Sequence, residues 1–108
     1  MSDVVVVLTT VAADAPVETL AQTLVEEKLA ACINVLPPMT SIYQWNGAVE
    51  QSAERQLIMK TTRALVPLLE TRLKELHSYE LPEFIVLAAE AGNPDYLAWV
   101  AREVRQVE

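Results

Sequence analysis

Lys28-Leu29-Ala30-Ala31-Cys32-Ile33-Asn34, followed by Thr40-Ser41-Ile42-Tyr43-Gln44-Trp45-Asn46-Gly47, decides the fold. The first segment carries the chain out of an amphipathic helix and into a strand. Leading into it, Val17, Leu20, Ala21, Leu24, Val25 and Leu29 recur at three- and four-residue steps, which marks one apolar helical face. The second segment ends on Asn46-Gly47, the pair that best tolerates the positive φ angles of a two-residue hairpin turn. Pairing across that turn sets Trp45 opposite Ala48, Gln44 opposite Val49 and Tyr43 opposite Glu50. Neither face of this ladder is cleanly apolar, so the tip is expected to project beyond the core of its own subunit.

The rest of the chain arranges itself around this helix and hairpin. Val4 to Leu8 is a continuous run of the kind found in central strands. Thr9 to Ala13 reads as a connection. A helix capped at Asp14 or Ala15, with Pro16 in its first turn, is expected to reach Ala30. The strand from Ala31 to Trp45 is interrupted at Pro37-Pro38, which marks a bend or an edge segment. Ala48 to Thr61 forms the returning strand, most buried at Leu57, Ile58 and Met59. A second helix starts between Ala64 and Val66, carries Pro67 in its first turn and presents Leu65, Leu69, Leu73 and Leu76. His77 to Glu83 is a loop, and Phe84 to Ala89 a fourth strand. Asn93-Pro94-Asp95 signals a last helix by its cap, its N1 proline and its acidic first turn. Leu97, Val100, Ala101 and Val104 are expected to face inward. The order β-α-β-β-α-β with an added C-terminal helix is an α+β, ferredoxin-like arrangement: one antiparallel sheet with two helices on one face. It fills residues 1–108 as a single domain. The other sheet face needs cover, which the last helix and neighbouring subunits can supply.

Composition narrows the partners. The 108 residues carry a formal charge of −7, and an acidic chain is repelled by phosphate backbones, so nucleic acid is not expected as a partner. Hydrophobic residues make up 52%, above the roughly 45–50% of ordinary soluble domains. In a small domain that excess points to apolar surface shared between subunits. Cys32 is the single cysteine, which excludes an intrachain disulfide and a Cys-x-x-Cys metal motif and fits a reducing compartment. Met1-Ser2-Asp3 lacks a basic n-region, and the apolar run after it is too short to span a bilayer. A cytoplasmic protein with no membrane partner is expected.

Few residues offer chemistry. His77 is the only histidine, and a metal site needs two to four convergent donors. Tyr79, Glu80 and Glu83 flank Leu81-Pro82, where two carboxylates can take a hard cation or move a proton. Pro82 stiffens that loop. Cys32, among Ala30, Ala31 and Ile33, is expected to be buried and slow to react. Lys60 ends a buried run, so its ammonium is expected at an edge or beside a carboxylate. Tyr43 and Trp45 can stack on a ligand or pack across a subunit boundary. There is no Gly-rich phosphate loop, no Gly-x-Ser-x-Gly elbow and no His-Glu-x-x-His. Enzymatic activity is not expected.

Five segments in register resemble the CutA divalent-cation tolerance proteins. They are Lys28 to Asn34, Thr40 to Gly47, Ile58-Met59-Lys60-Thr61, Leu76 to Glu83, and Gly92-Asn93-Pro94-Asp95-Tyr96-Leu97. The resemblance spans nearly the whole chain. It implies a ferredoxin-like subunit in a compact homotrimer, with strands paired between subunits, and a cytoplasmic role in the response to divalent metal ions, copper above all. It implies polar and aromatic positions gathered at intersubunit clefts, here Trp45, Glu50, Lys60, His77, Tyr79, Glu80 and Glu83. Of these, His77, Glu80 and Glu83 are the candidate metal ligands. Trp45, Glu50, Lys60 and Tyr79 are the candidates to hold a small molecule. No firm cofactor follows; Cu²⁺ or another divalent cation is the ion implied. Thr9-Thr10 stands where copper-binding members carry a cysteine, and Leu76-His77 where some carry paired histidines. Weak copper binding at those clefts is therefore the expectation. A trimeric small-molecule sensor using the same clefts is the alternative. An acylphosphatase of the same subunit fold is discounted, because Thr9 to Ala13 contains no arginine.

Overall fold

The computed structural model describes residues 3–107. The expectation drawn from Met1 and Ser2 lies outside them. The elements follow the order β1 (Val4–Ala12), α1 (Val17–Glu26), β2 (Cys32–Val35), β3 (Met39–Trp45), β4 (Ala48–Thr62), a 3₁₀ turn (Arg63–Leu65), α2 (Val66–Leu76), β5 (Ile85–Ala88) and α3 (Pro94–Glu103). The sheet is antiparallel in the order β2-β4-β1-β5, with β3 also paired to β4. This is the expected α+β arrangement.

Alternation along β1 and β4 assigns the two faces. Val5 lies beside Thr61, Val7 beside Met59 and Thr9 beside Leu57, and all six are buried. Val5, Val7 and Met59 share one core with Leu24 of α1 and Leu69 and Leu73 of α2. The helices therefore cover this face, because their apolar stripes can be buried only against it. Val6, Leu8 and Ile58 point the other way and are only partly buried. On β5, Ile85 and Leu87 lie beside Leu8 and Val6 and remain exposed. α3 packs on β1 and β4 and buries Val100 and Val104, while Ala101, expected to face inward, is exposed.

β4 organises the molecule. Ala12 and Met39 both pair with Glu54, one from each side. β2 and β3 thus share one edge of β4, separated by Pro37-Pro38, as the sequence pattern indicated. Beyond Glu54 only β3 accompanies β4, and the hairpin extends the chain to 44 Å against 25 and 24 Å in its other dimensions. The turn residues Asn46 and Gly47 have φ of +50° and +81°, and the register is the expected one, Tyr43 with Glu50 and Trp45 with Ala48.

Three local expectations are corrected. Helix α1 ends at Glu26, not near Ala30. Lys28 turns into the left-handed region at φ +60°, Lys28 N–H bonds Val25 O and Leu29 N–H bonds Leu24 O. That pair of bonds closes the helix in a Schellman motif, and Leu29 packs in the same core cluster as Leu24. Leu29 is buried as the periodicity indicated, but from the turn, whereas Val25 is exposed. Second, Pro16 is the cap residue itself, and no side chain caps the first turn of α1. Third, β1 continues through Thr9-Thr10 to Ala12, where the sequence pattern predicts a connection. Thr10 pairs with Gln56 and Ala12 with Glu54, so these residues extend the ladder.

Cys32 is half-buried, contrary to expectation. β2 is an edge strand, and Cys32 lies beside Lys60, on the face that the helices do not cover.

Candidate functional site

The site forms where the sheet runs short of strands. β5 pairs only with Val5 to Leu8, so the edge of β1 from Thr9 to Ala12 has no strand neighbour. The loop after α2 covers that edge. Thr9 Oγ1 donates to Glu83 O at 2.6 Å, and Gln56 Nε2 donates to Thr9 O at 2.6 Å and to Glu83 Oε2 at 3.0 Å. His77 anchors the other end of the loop. Tyr79 N–H donates to His77 Nδ1 at 3.0 Å, which assigns the ring proton to Nε2, and Nε2 donates to Thr10 O at 2.7 Å. The His77 and Tyr79 rings lie 4.8 Å apart at 47°.

Held in this way, the loop faces the root of the hairpin across a cleft of about 600 Å³. One wall is the hairpin face carrying Met39, Ser41, Tyr43, Trp45, Ser52 and Glu54. Thr10 and Gln56 form the floor, and Tyr79 to Glu83 the second wall. Alternation explains the first wall: Met39, Ser41, Tyr43 and Trp45 share one side of β3 and are matched by Glu54, Ser52, Glu50 and Ala48 on β4. Tyr43 Oη and Ser52 Oγ are hydrogen-bonded at 2.7 Å. The Tyr79 hydroxyl crosses between the walls and donates to Glu54 Oε2 at 2.7 Å. Burial, and then the bond to Glu54, push the Tyr79 hydroxyl well above its ordinary value, so it stays a donor.

The structure gathers some of the expected residues and separates others. Trp45, Tyr79, Glu80 and Glu83 line the cleft. Glu50 sits on the same hairpin face, opposite Tyr43, and is solvent-exposed. Lys60 lies further along β4, where its ammonium bonds Asn34 Oδ1. His77 stands behind Tyr79 with both ring nitrogens engaged, and Glu83 turns to Gln56. Among the described residues no three His, Cys, Asp or Glu side chains form a group able to hold a metal ion. Sequence reasoning passed over Glu54, Gln56 and Ser52. The signal available was a polar run, Glu50 to Gln56, inside a long strand, which reads equally as a solvated face.

The sequence and fold have counterparts. Over residues 5–103 the chain matches the family described as CutA1 divalent ion tolerance protein. A divalent-cation tolerance protein CutA from Thermus thermophilus is 46% identical over 95 residues, 88% of this chain and 92% of that one. A solved structure of the protein from that organism superposes with a TM-score of 0.91 at 43% identity, over 94% of this chain and 99% of the other. A structure titled PII-like protein CutA, from Nostoc, gives 0.87 at 38% identity, over 94% and 97%. The chain spans 50% of a mouse relative named Protein CutA, at 43% identity over 88 residues. With the match running from β1 to the end of α3, the chain belongs to the CutA1 divalent ion tolerance family.

Proposed function

We propose that the protein takes part in the response to divalent metal ions as a homotrimer, binding copper weakly at intersubunit clefts beside the loop from His77 to Glu83. One observation carries the weakness: His77 Nδ1 accepts from Tyr79 N–H while Nε2 donates to Thr10 O. To ligate a metal, the ring must give up one of these bonds. Imidazole with a carboxylate from Glu80 or Glu83 still suits Cu²⁺ among the common divalent ions. The family's description names tolerance and no reaction, and no residue here is assigned a catalytic role. Calorimetric titration with Cu²⁺ tests the proposal. Wild type should bind no tighter than about micromolar, and His77→Ala should abolish what binding there is. An affinity tighter than about nanomolar would mean a ligand set other than this one. Unchanged affinity in His77→Ala would remove His77 from the site.

A second reading is favoured by the cleft itself. Its volume of about 600 Å³ suits a small organic molecule better than a bare ion, and aromatic side chains stand on both walls. In this reading the trimer is a sensor for a small molecule, with Trp45 and Tyr79 in contact with it, consistent with the PII-like description of the Nostoc relative. A chelator separates the two readings: it abolishes metal binding and leaves metabolite binding intact.

A further inference from the structure

Glu54 is the buried carboxylate of the cleft, and its own subunit leaves it without a counter-charge. It is only 8% exposed. It accepts one hydrogen bond, from the Tyr79 hydroxyl to Oε2. Among the described residues the ion pairs engage Glu18, Glu27, Glu70, Glu75 and Glu103, and none engages Glu54. The cations of the same strand are used elsewhere. Arg55, its neighbour in sequence, bonds Leu36 O and Glu18, and Lys60 bonds Asn34. A carboxylate withdrawn from water without a cation is unfavourable, and a cation delivered to it removes much of that penalty.

The surroundings select the kind of cation. The cleft is far larger than a metal ion, and its acidic side chains do not converge into a metal-holding group. Tyr43 and Trp45 stand on the same wall as Glu54, and Trp45 is 40% exposed. Aromatic faces attract organic cations through the ring quadrupole and take carbon frames by simple burial. Glu80 and Glu83 on the opposite wall add negative potential to the cleft. We propose that the cleft takes an organic ammonium ion, its N–H groups on the Glu54 carboxylate and its carbon frame against Trp45 and Tyr43, an assignment that rests on the cleft being the ligand site of a small-molecule sensor. The Tyr79 hydroxyl acts as a positioning group, holding one Glu54 oxygen and leaving the other to the ligand.

The test is calorimetry on the purified assembly with n-butylammonium and spermidine as probes. n-Butanol and n-butyrate serve as the neutral and anionic matches, and circular dichroism of each variant reports folding. Expected are saturable binding of the ammonium probes alone, at least about a tenfold loss in Glu54→Gln, and a comparable loss in Trp45→Ala. Trp45 sits on the projecting hairpin, so its variant keeps the test open should Glu54→Gln fail to fold. Binding of butanol or butyrate as tight as that of butylammonium, lost in Trp45→Ala, overturns the ligand class and leaves the cleft as a binding site. Ammonium binding unchanged in folded Glu54→Gln overturns the role of Glu54. No saturation by any probe at about 1 mM overturns the proposal, and Cu²⁺ binding that depends on Glu54 reassigns the carboxylate to a metal.

Discussion

The Tyr79 hydroxyl and the Glu54 carboxylate, 2.7 Å apart, join the loop after α2 to the root of the β3–β4 hairpin and close the cleft between them. Burial and this bond hold the Tyr79 hydroxyl above its ordinary value of 10.0. The folded protein therefore binds the phenolic proton more tightly than the unfolded chain does. The stabilisation is complete below about pH 10 and is lost as pH rises above that value toward the folded-state value. Denaturant melts across the alkaline range should show stability falling in wild type and a shallower fall in Tyr79→Phe. Near neutral pH, Tyr79→Phe should cost about 1–3 kcal/mol, since Glu54 loses its donor. Identical alkaline slopes in the two proteins would contradict the assignment.

Arg72 clamps α2 to the end of α1 through two parallel bonds to Glu27, Nε to Oε1 at 2.9 Å and Nη2 to Oε2 at 2.8 Å. The Arg72 bond holds the Glu27 carboxyl below its ordinary value. Its contribution is present above the ordinary value of 4.5 and fades as pH falls through the depressed one. Glu27→Gln should lower the melting temperature at neutral pH, and the gap to wild type should narrow in acid. A gap that stays constant down to the acid limb would show that the pair contributes nothing through charge.

Lys28 holds φ at +60° because the Schellman closure of α1 requires a left-handed residue there. A side chain in that region costs roughly 1–2 kcal/mol, offset in part by the greater entropy of an unfolded glycine. Lys28→Gly is expected to stabilise the fold by about 0.5–1 kcal/mol, read from equilibrium denaturation. Lys28→Val, β-branched at a positive φ, should destabilise it.

The uncovered sheet face and the hairpin give an expectation for assembly. Leu87, 49% exposed, lies beside Val6 and shares the uncovered sheet face with Ile85 and Ile58. Ile42 and Val49, 64% and 65% exposed, project from the hairpin. A trimer would cover these side chains, each worth roughly 1.5–3 kcal/mol on full burial. Native mass measurement should find trimer persisting on dilution in wild type and monomer in Leu87→Asp. A well-folded wild-type monomer at micromolar concentration would defeat the expectation.

Cys32 labelling separates the subunit from its assembly. The half-buried thiol sits on the edge strand β2. In dissociated Leu87→Asp it should react readily with a thiol reagent. Slower labelling in the wild-type assembly would place a neighbouring subunit over β2, and equal rates would leave that edge open.

The element order, the hairpin register and the last helix were legible in the residues because each depends on neighbours in sequence. Asn46-Gly47 turns the chain in one way and so pairs Trp45 with Ala48. Asn93 caps α3 by accepting from Asp95 N and Tyr96 N. The features read wrongly or passed over depend on partners far along the chain. β1 reaches Ala12 because β4 is long enough to pair with it, and α1 stops at Glu26 because Leu29 is drawn from the turn into the core beside Leu24. Glu54 looked like one polar residue in a solvated run. It became the charged centre of a cleft only when β5 left the edge of β1 uncovered and the loop bearing His77 and Tyr79 folded across it. A sequence records which side chains are present and how they alternate, but the loss of water around a carboxylate is decided by whichever distant segment comes to lie over it.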